Sequence, residues 1–225
     1  MLTSKDSAVL NALFDAEISL NRSVPVAGHK VVAASTPATQ QWQQQQILEA
    51  VHLLNEIAPS PDAVRCSIGI FDKIIDNDPT CASAFVNRAQ AMQLLPLSTE
   101  CLSQTFQDLS KAIELSEPKH KLDEVTSGNA RVLASAHTHR GSLLLRASVT
   151  PSILELLRNA SPYYQDIPPA ELEQLASKDF TIAGRYGSQF AQSLAVKTNP
   201  YAKLCGNIVR EALQKEIREY STLAR

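Results

Sequence analysis

A pattern of small, aromatic and proline residues that recurs at a period of about 34 residues constrains this chain more than any other feature. In its first copy, Ser67, Phe71 and Pro79 stand at the small, aromatic and proline positions, and the segment FDKIIDNDPT (71–80) ends the copy. A unit of this length forms two helices that cannot bury their apolar faces alone, so neighbouring units must stack. The pattern therefore predicts a chain built as an array of helix pairs.

Three copies of the pattern align, and they cover residues 37–79, 80–118 and 130–187. In the second copy, Phe85 takes the bulky position and Ala89 takes the small position at which paired helices touch. In the third copy, Gly141 lies in the first helix, and residues 148–169 are inserted between the two helices. This spacing is typical of tetratricopeptide repeats. It predicts an all-α, right-handed array of three helix pairs within residues 37–225.

The two ends of the chain are predicted to flank this array. Residues 1–36 are expected to hold a short amphipathic helix (4–14) and an extended linker. No segment of the chain alternates clearly enough to indicate a strand. Residues 199–220 are apolar on one side and charged elsewhere, as expected of a capping helix that covers the last repeat.

Four dipeptides predict where helices begin, because each places a capping residue before a proline at the first helical position. They are Thr36-Pro37, Asp78-Pro79, Thr150-Pro151 and Asn199-Pro200. Within the insertion, the apolar segment SILELLRNA (152–160) is followed by three prolines, which predicts one short helix and then an irregular crossing. The leucines and isoleucine of that helix must be covered by the repeats or by a partner.

Composition argues against several classes of function. The 21 basic and 23 acidic residues give a net charge of −2, so the chain has no basic excess with which to bind a nucleic-acid backbone. The four cysteines form no CxxC pair, and they are expected to be reduced, partly buried thiols. No apolar segment reaches the length of a membrane span, and the N-terminus lacks a signal-peptide pattern. We therefore expect a cytoplasmic protein, with the nucleus as an alternative location.

Four segments carry a resemblance to a known family: SAVLNALFD (7–15), SAFVNRAQA (83–91), DLSKAIELS (108–116) and NPYAKLC (199–205). Together they resemble the tetratricopeptide repeat protein 36 family, and NPYAKLC is the most specific because ordinary repeats do not contain it. The resemblance covers residues 80–210 well, whereas the linker and the insertion depart from it. It implies a soluble, non-enzymatic protein with protein partners, among them heat-shock chaperones of the seventy-kilodalton class.

Motifs that carry catalysis are absent from the sequence. It contains no glycine-rich phosphate loop, no HExxH and no GxSxG. A hydrolase or isomerase built on the insertion would use Tyr163, Tyr164 and Asp166, but these have no evident partner base or nucleophile. We therefore expect no enzyme activity, no metal and no cofactor.

Two histidines and two arginines are the remaining candidates for chemistry. His137 and His139 stand two residues apart on a predicted helix, so they point to different faces and cannot converge on one metal ion. His137 occupies a packing position and is expected to be a buried histidine with a hydrogen-bond partner. Arg88 and Arg140 occupy equivalent positions, which could suggest a pair of anion-binding arginines. We expect instead that their stems pack between helices while the guanidinium groups reach carbonyls or a carboxylate.

The concave face of a tetratricopeptide array is lined by fixed positions of each first helix. Here those positions predict a protein-binding groove that includes His52, Glu56, Ser83, Asn87, Gln90, Ser135, Thr138 and His139. This lining is mixed and nearly neutral, so it does not indicate the charge of a ligand. The sequence supports an adaptor that holds a client protein in this groove or on the insertion. The alternative is a cofactor of seventy-kilodalton-class heat-shock chaperones.

The chaperone alternative requires particular side chains in the groove. Repeat domains that hold an acidic chaperone tail clamp its carboxylates with lysine, arginine and asparagine side chains, and here only Asn87 matches. His52 and Glu56 take the first-repeat places, and Ser135 and His139 take the third-repeat places. Glu56 would repel a carboxylate, and a lone amide cannot offset the desolvation of the tail. Any chaperone association is therefore predicted not to use a two-carboxylate clamp.

Overall fold

The computed structural model describes residues 26–27, 37–55, 58–119 and 124–223, which form helices, the turns that connect them and one two-residue strand pairing. Nine α-helices occur in the described residues: α1 (Pro37–Leu53), α2 (Pro61–Asn77), α3 (Ala82–Met92), α4 (Thr99–Ser116), α5 (Ser127–Val149), α6 (Pro151–Ala160), α7 (Pro169–Arg185), α8 (Gln189–Thr198) and α9 (Pro200–Leu223). One turn of 3-10 helix, Pro162–Tyr164, follows α6. The all-α class predicted from the sequence is confirmed.

Capping side chains and prolines fix where the helices begin. The hydroxyls of four capping residues each accept a hydrogen bond from the backbone N–H three residues later, at 3.1–3.2 Å: Ser60, Ser98, Thr126 and Ser188. Helices begin at three of the four predicted prolines, Pro37, Pro151 and Pro200, although the Thr150 side chain makes no capping hydrogen bond at the start of α6.

The fourth predicted start, at Asp78-Pro79, is wrong because Asp78 ends α2. Its backbone N–H donates to the Ile74 carbonyl at 2.8 Å. One oxygen of its carboxylate accepts hydrogen bonds from the backbone N–H and the hydroxyl of Thr80, at 3.0 and 2.6 Å, and Gln43 donates to the other oxygen at 2.7 Å. The carboxylate is therefore held in the turn after α2, and α3 begins only at Ala82.

Neighbouring helices pack in chain order. α1 lies against α2, α2 against α3, α3 against α4, and α4 against α5, while α5 lies against α7. The short helix predicted in the insertion is α6, which packs on α4 and α5. Its Leu157 is fully buried, and Ile153, Leu154 and Leu156 are partly buried against the core. The repeats themselves therefore cover the apolar side of the insertion.

Residues of the repeat pattern lie at the centre of the two hydrophobic clusters. Phe71 is fully buried in the cluster formed by α1, α2 and α3, and Ala89 and Phe180 are fully buried in the larger cluster that follows. Gly141 lies where α5 meets α7, and a Cβ atom there would be 2.9 Å from the Phe180 ring and 3.2 Å from the Ala176 carbonyl oxygen. The small residue at this position is required by the close approach of the two helices.

Two features were not predicted. Val26–Ala27 (β1) pairs in parallel with Val125–Thr126 (β2), and strands of two residues are too short to show an alternating pattern. In addition, α8 lies against α7, the position that the sequence analysis assigned to residues 199–220. Those residues form α9, which contacts α8, and its described side chains are exposed. The helix predicted at residues 4–14 lies outside the described residues.

Candidate protein-binding groove

Three of the predicted groove residues line one recess. Ser135, Thr138 and His139 of α5 border a space of about 330 Å³, which we call the α5 recess. Arg131 and Ala134 complete the wall formed by α5. The turn from α7 to α8 forms another wall through Tyr186, Gly187 and Ser188. The α5 residues recur at intervals of three and four, so one face of the helix forms this wall. Gly187 has a φ of 99°, a conformation that glycine adopts readily and that ends α7 beside Ser188.

Hydrogen bonds join the α5 recess to α3. The side-chain amide of Gln90 donates to the Ser135 hydroxyl at 2.8 Å, across 45 residues of sequence. The amide nitrogen of Gln93 lies 3.4 Å from Nδ1 of His139. The structure thus brings Gln90, Ser135, Thr138 and His139 together, as the repeat register predicts.

The other predicted groove residues lie apart from the α5 recess lining. Ser83 and Asn87 are partly buried on α3, and His52 is exposed near the end of α1. Glu56 lies outside the described residues. That these residues form a binding groove stays a prediction.

The α5 recess offers neutral polar groups. Burial lowers the pKa of His139 below its ordinary value, so its imidazole is uncharged at neutral pH. The Thr138 hydroxyl donates to the Ala134 carbonyl at 2.6 Å and lies 3.3 Å from the Ser188 hydroxyl. The guanidinium of exposed Arg131 is the charged group of the lining. Such a lining suits the N–H and C=O groups of a peptide better than a strongly charged ligand.

Each of the two candidate arginines ties its helix to a carboxylate. Arg88 of α3 donates through Nε and Nη2 to both oxygens of Asp108 of α4, at 2.8 and 2.6 Å. Its Nη1 donates to Asp72 of α2 at 2.6 Å, so one guanidinium links three helices. The predicted use of Arg88, with its head on a carboxylate, is confirmed.

Arg140 makes the equivalent contact in the next pair. It donates through Nε and Nη2 to both oxygens of Asp179 of α7, at 2.8 and 2.7 Å. Nδ1 of buried His137 lies 2.8 Å from the same carboxylate. Burial alone would raise the pKa of Asp179, but the hydrogen bonds from Arg140 and His137 outweigh it and lower the pKa. His137 is therefore the buried, hydrogen-bonded histidine that the sequence predicted, and Arg140 is not available to bind an external anion.

Comparison with known proteins agrees with the repeat pattern. The chain is 40% identical over 248 aligned residues to the L-tyrosine degradation gene cluster protein hmgX of Aspergillus fumigatus, and the match covers 96% of the chain and 93% of that protein. It is 26% identical to human tetratricopeptide repeat protein 36 and 27% identical to a Drosophila pseudoobscura homolog, with 95% of both proteins covered in each case. The chain belongs to the tetratricopeptide repeat protein 36 family. No protein-family model and no solved structure matches it.

Family membership confirms the resemblance that the sequence segments indicated. Two of those segments, 83–91 and 108–116, form most of α3 and the second half of α4, and they contribute the Arg88 contact to Asp108. NPYAKLC (199–205) begins α9, and Asn199 accepts a hydrogen bond from the backbone N–H of Tyr201 at 2.9 Å. In this member of the tetratricopeptide repeat protein 36 family, α5 lines the α5 recess, and Gln90 of α3 donates a hydrogen bond to Ser135 there.

The sequence analysis missed five lining residues of the α5 recess: Arg131, Ala134, Tyr186, Gly187 and Ser188. A signal for three of them was present, because the segment RYGS (185–188) places a glycine at a helix end and a serine at the next helix start. Recognising it would have predicted α8. Arg131 could have been found by extending the repeat register one turn toward the start of α5.

The described residues contain no metal site and no disulfide bond. Within residues 26–27, 37–55, 58–119 and 124–223, no three His, Cys, Asp or Glu side chains are placed to hold a metal ion. All four thiols are free; Cys81 and Cys101 are partly buried as expected, but Cys66 and Cys205 are exposed because they lie on the solvent sides of α2 and α9. Of the described helices, none is long and apolar enough to span a membrane.

Proposed function

We propose that this protein is a non-enzymatic adaptor that holds a segment of a client protein in the groove that contains the α5 recess, between α5 and the turn from α7 to α8 and beside α3. The observation that carries the proposal is the α5 recess itself, which Ser135, Thr138 and His139 line and to which Gln90 of α3 is joined by a hydrogen bond. The hydroxyl and neutral imidazole groups of the recess can hydrogen-bond to the backbone of a bound peptide. The helices α1 and α2, α3 and α4, and α5 and α7 serve as three tetratricopeptide helix pairs, with α6 inserted in the third.

Hydrogen bonding within the α5 recess supports a binding role over a catalytic one. The Ser135 hydroxyl accepts from Gln90, and Nδ1 of His139 faces Gln93. A nucleophilic serine would instead be paired with its base. The contacts of Ser135 and His139 instead connect α5 to α3.

The name of a relative suggests the class of client. The Aspergillus fumigatus protein is named as a member of an L-tyrosine degradation gene cluster. Products of clustered genes commonly act in one route, so the client of that relative would be a protein of the same route. By extension, the client of this chain is an enzyme that acts in the degradation of an aromatic amino acid.

A pair of serine variants tests the adaptor role. Ser135→Arg places a long side chain in the α5 recess, whereas Ser103→Arg places the same side chain on α4, beside a separate recess. Both serines are partly buried on helices, so the substitutions are matched. Affinity purification with mass spectrometry should recover the client with the wild type and Ser103→Arg and lose it with Ser135→Arg. Equal recovery of the client with all three proteins would contradict the proposal that the client binds in the groove.

The alternative is a cofactor of seventy-kilodalton-class heat-shock chaperones that captures their acidic tail. Two observations weigh against it: Asn87 is the one clamp position that matches, and His139 lacks the positive charge that a carboxylate needs. A neutral amide contributes about 1 kcal/mol of net hydrogen bonding.

Calorimetric titration with a free tail peptide at moderate salt distinguishes the two functions. We expect no measurable binding, because the groove lacks charge-assisted donors at the clamp positions. Micromolar binding that Asn87→Ala abolishes would overturn this expectation and favour the chaperone cofactor.

A further inference from the structure

α9 carries an extensive exposed apolar surface. Seven large apolar side chains on this one helix are between 53% and 77% exposed: Tyr201, Leu204, Ile208, Val209, Leu213, Ile217 and Tyr220. Since a tyrosine presents about 150–250 Å² when fully exposed, the two tyrosines alone leave roughly 300 Å² uncovered. Together the seven expose on the order of 800 Å², the area that one partner buries in a stable protein interface. A face of this size indicates an interaction surface.

The positions of six of these residues form a palindrome, and the seventh, Val209, has Ala212 at its mirror position. Tyr201, Leu204, Ile208, Leu213, Ile217 and Tyr220 are separated by 3, 4, 5, 4 and 3 residues, and the pattern is centred between Arg210 and Glu211. The side-chain types mirror one another as well, because Tyr201 matches Tyr220, Leu204 matches Ile217, and Ile208 matches Leu213. The face therefore reads the same from either end of the helix.

A palindromic face fits a second copy of itself. In a two-fold interface the same surface is used by both partners, so that residue i contacts residue j while residue j contacts residue i. When two such helices cross in opposite directions at their centres, Ile208 and Leu213 of each copy meet their mirror residues in the other. Binding of a client protein of unrelated sequence would not require a palindromic pattern on α9.

The rows of the face also define how two copies can cross. Tyr201, Cys205, Val209, Leu213 and Ile217 follow one another at intervals of four residues, and Leu204, Ile208 and Ala212 form a second row beside them. Rows of this spacing are the ridges that interlock when helices cross at about 50°. Glu216 continues the second row and places a charge within the face, on the C-terminal side of the crossing point.

We propose that the apolar face of α9 is a self-association surface and that two copies of this chain pair through it in opposite directions about a two-fold axis between Arg210 and Glu211. The dimer holds two copies of the groove. The pairing is independent of which client the groove holds.

Sedimentation equilibrium of the full chain in the micromolar range tests the pairing. We expect a mass twice the 24.5 kDa of one chain. The double variant Ile208→Glu with Leu213→Glu places charges at mirror positions next to the axis, and it should sediment as a monomer. Gln214→Glu adds a charge to the same helix outside the apolar rows, and it should remain dimeric. A monomeric wild type, or a dimer that the double variant preserves, would overturn the proposal.

A thiol cross-link tests the register itself. One copy carries Ile208→Cys and another carries Leu213→Cys, and in both the exposed Cys66 and Cys205 are changed to serine. With a short bifunctional thiol reagent, the mixture should cross-link several-fold more than either copy alone, since position 208 faces position 213 and not itself. Equal cross-linking of each copy with itself contradicts the opposed register. This test stands even where the charged double variant fails to fold.

Discussion

Asp179 of α7 holds α5 and α7 together, because its buried carboxylate accepts hydrogen bonds from Arg140 and contacts His137. Asp179→Asn removes the charge that Arg140 faces, and the loss of one partner of a buried ion pair costs about 3 kcal/mol or more. Denaturant titration should show this decrease in the free energy of unfolding. Asp62→Asn is the control, since its ion pair with Arg65 is exposed and its removal should leave the midpoint almost unchanged.

Tyr164 makes stability depend on alkaline pH. Burial raises the pKa of its hydroxyl to about 12, whereas an unfolded tyrosine titrates near pH 10. Between these values the unfolded chain loses the proton and the folded chain keeps it, so folding weakens as the pH rises. Two pKa units correspond to roughly 2–3 kcal/mol. Thermal unfolding between pH 9 and 12 should show less decline for Tyr164→Phe, whereas Tyr163→Phe, at a ring that is 67% exposed, should follow the wild type.

Alanine substitutions at two helical glycines distinguish the effect of close packing on stability from the effect of helix propensity. A Cβ at Gly141 of α5 would lie 2.9 Å from the Phe180 ring, whereas a Cβ at Gly69 of α2 has no neighbour within 4 Å. Gly141→Ala should therefore lower the melting temperature through overpacking of about 1–3 kcal/mol, which exceeds the gain in helix propensity. Gly69→Ala should raise it, since only the propensity gain applies. The opposite order would mean that α5 and α7 do not approach as described.

At the scale of elements, the sequence predicted most helices but misplaced some boundaries. The cap-proline signals located α1, α6 and α9 because proline at the first helical position needs no local partner. Asp78-Pro79 carries the same signal, yet contacts from Thr80 and Gln43 hold its carboxylate in a turn. Gln43 comes from another helix, and a local pattern contains no information about it. The helix α8 was missed although its Gly-Ser signal lies in the sequence.

For the molecule as a whole, the repeat register placed Ser135, Thr138 and His139 on one side of α5, and these three residues line the α5 recess. It did not predict the wall formed by Tyr186 and Ser188, which depends on how the turn from α7 to α8 lies beside α5. The sequence analysis expected the two arginines to reach carbonyls or a carboxylate, but it did not identify Asp108 or Asp179 as their partners. Arg140 and Asp179 are 39 residues apart, and the insertion between them obscures their register.

The central claim is that the client lies in the groove that contains the α5 recess, beside α3 and the turn from α7 to α8, and hydrogen exchange measured by mass spectrometry tests it most directly. Exchange is compared for the full chain alone and with the co-purified client. The account predicts that the client slows exchange in α3, in the first half of α5 and in the turn that joins α7 to α8, with α6 and α9 unchanged. Slowed exchange confined to α6, or to α9, would contradict the claim and place the client on the insertion or on the self-association surface.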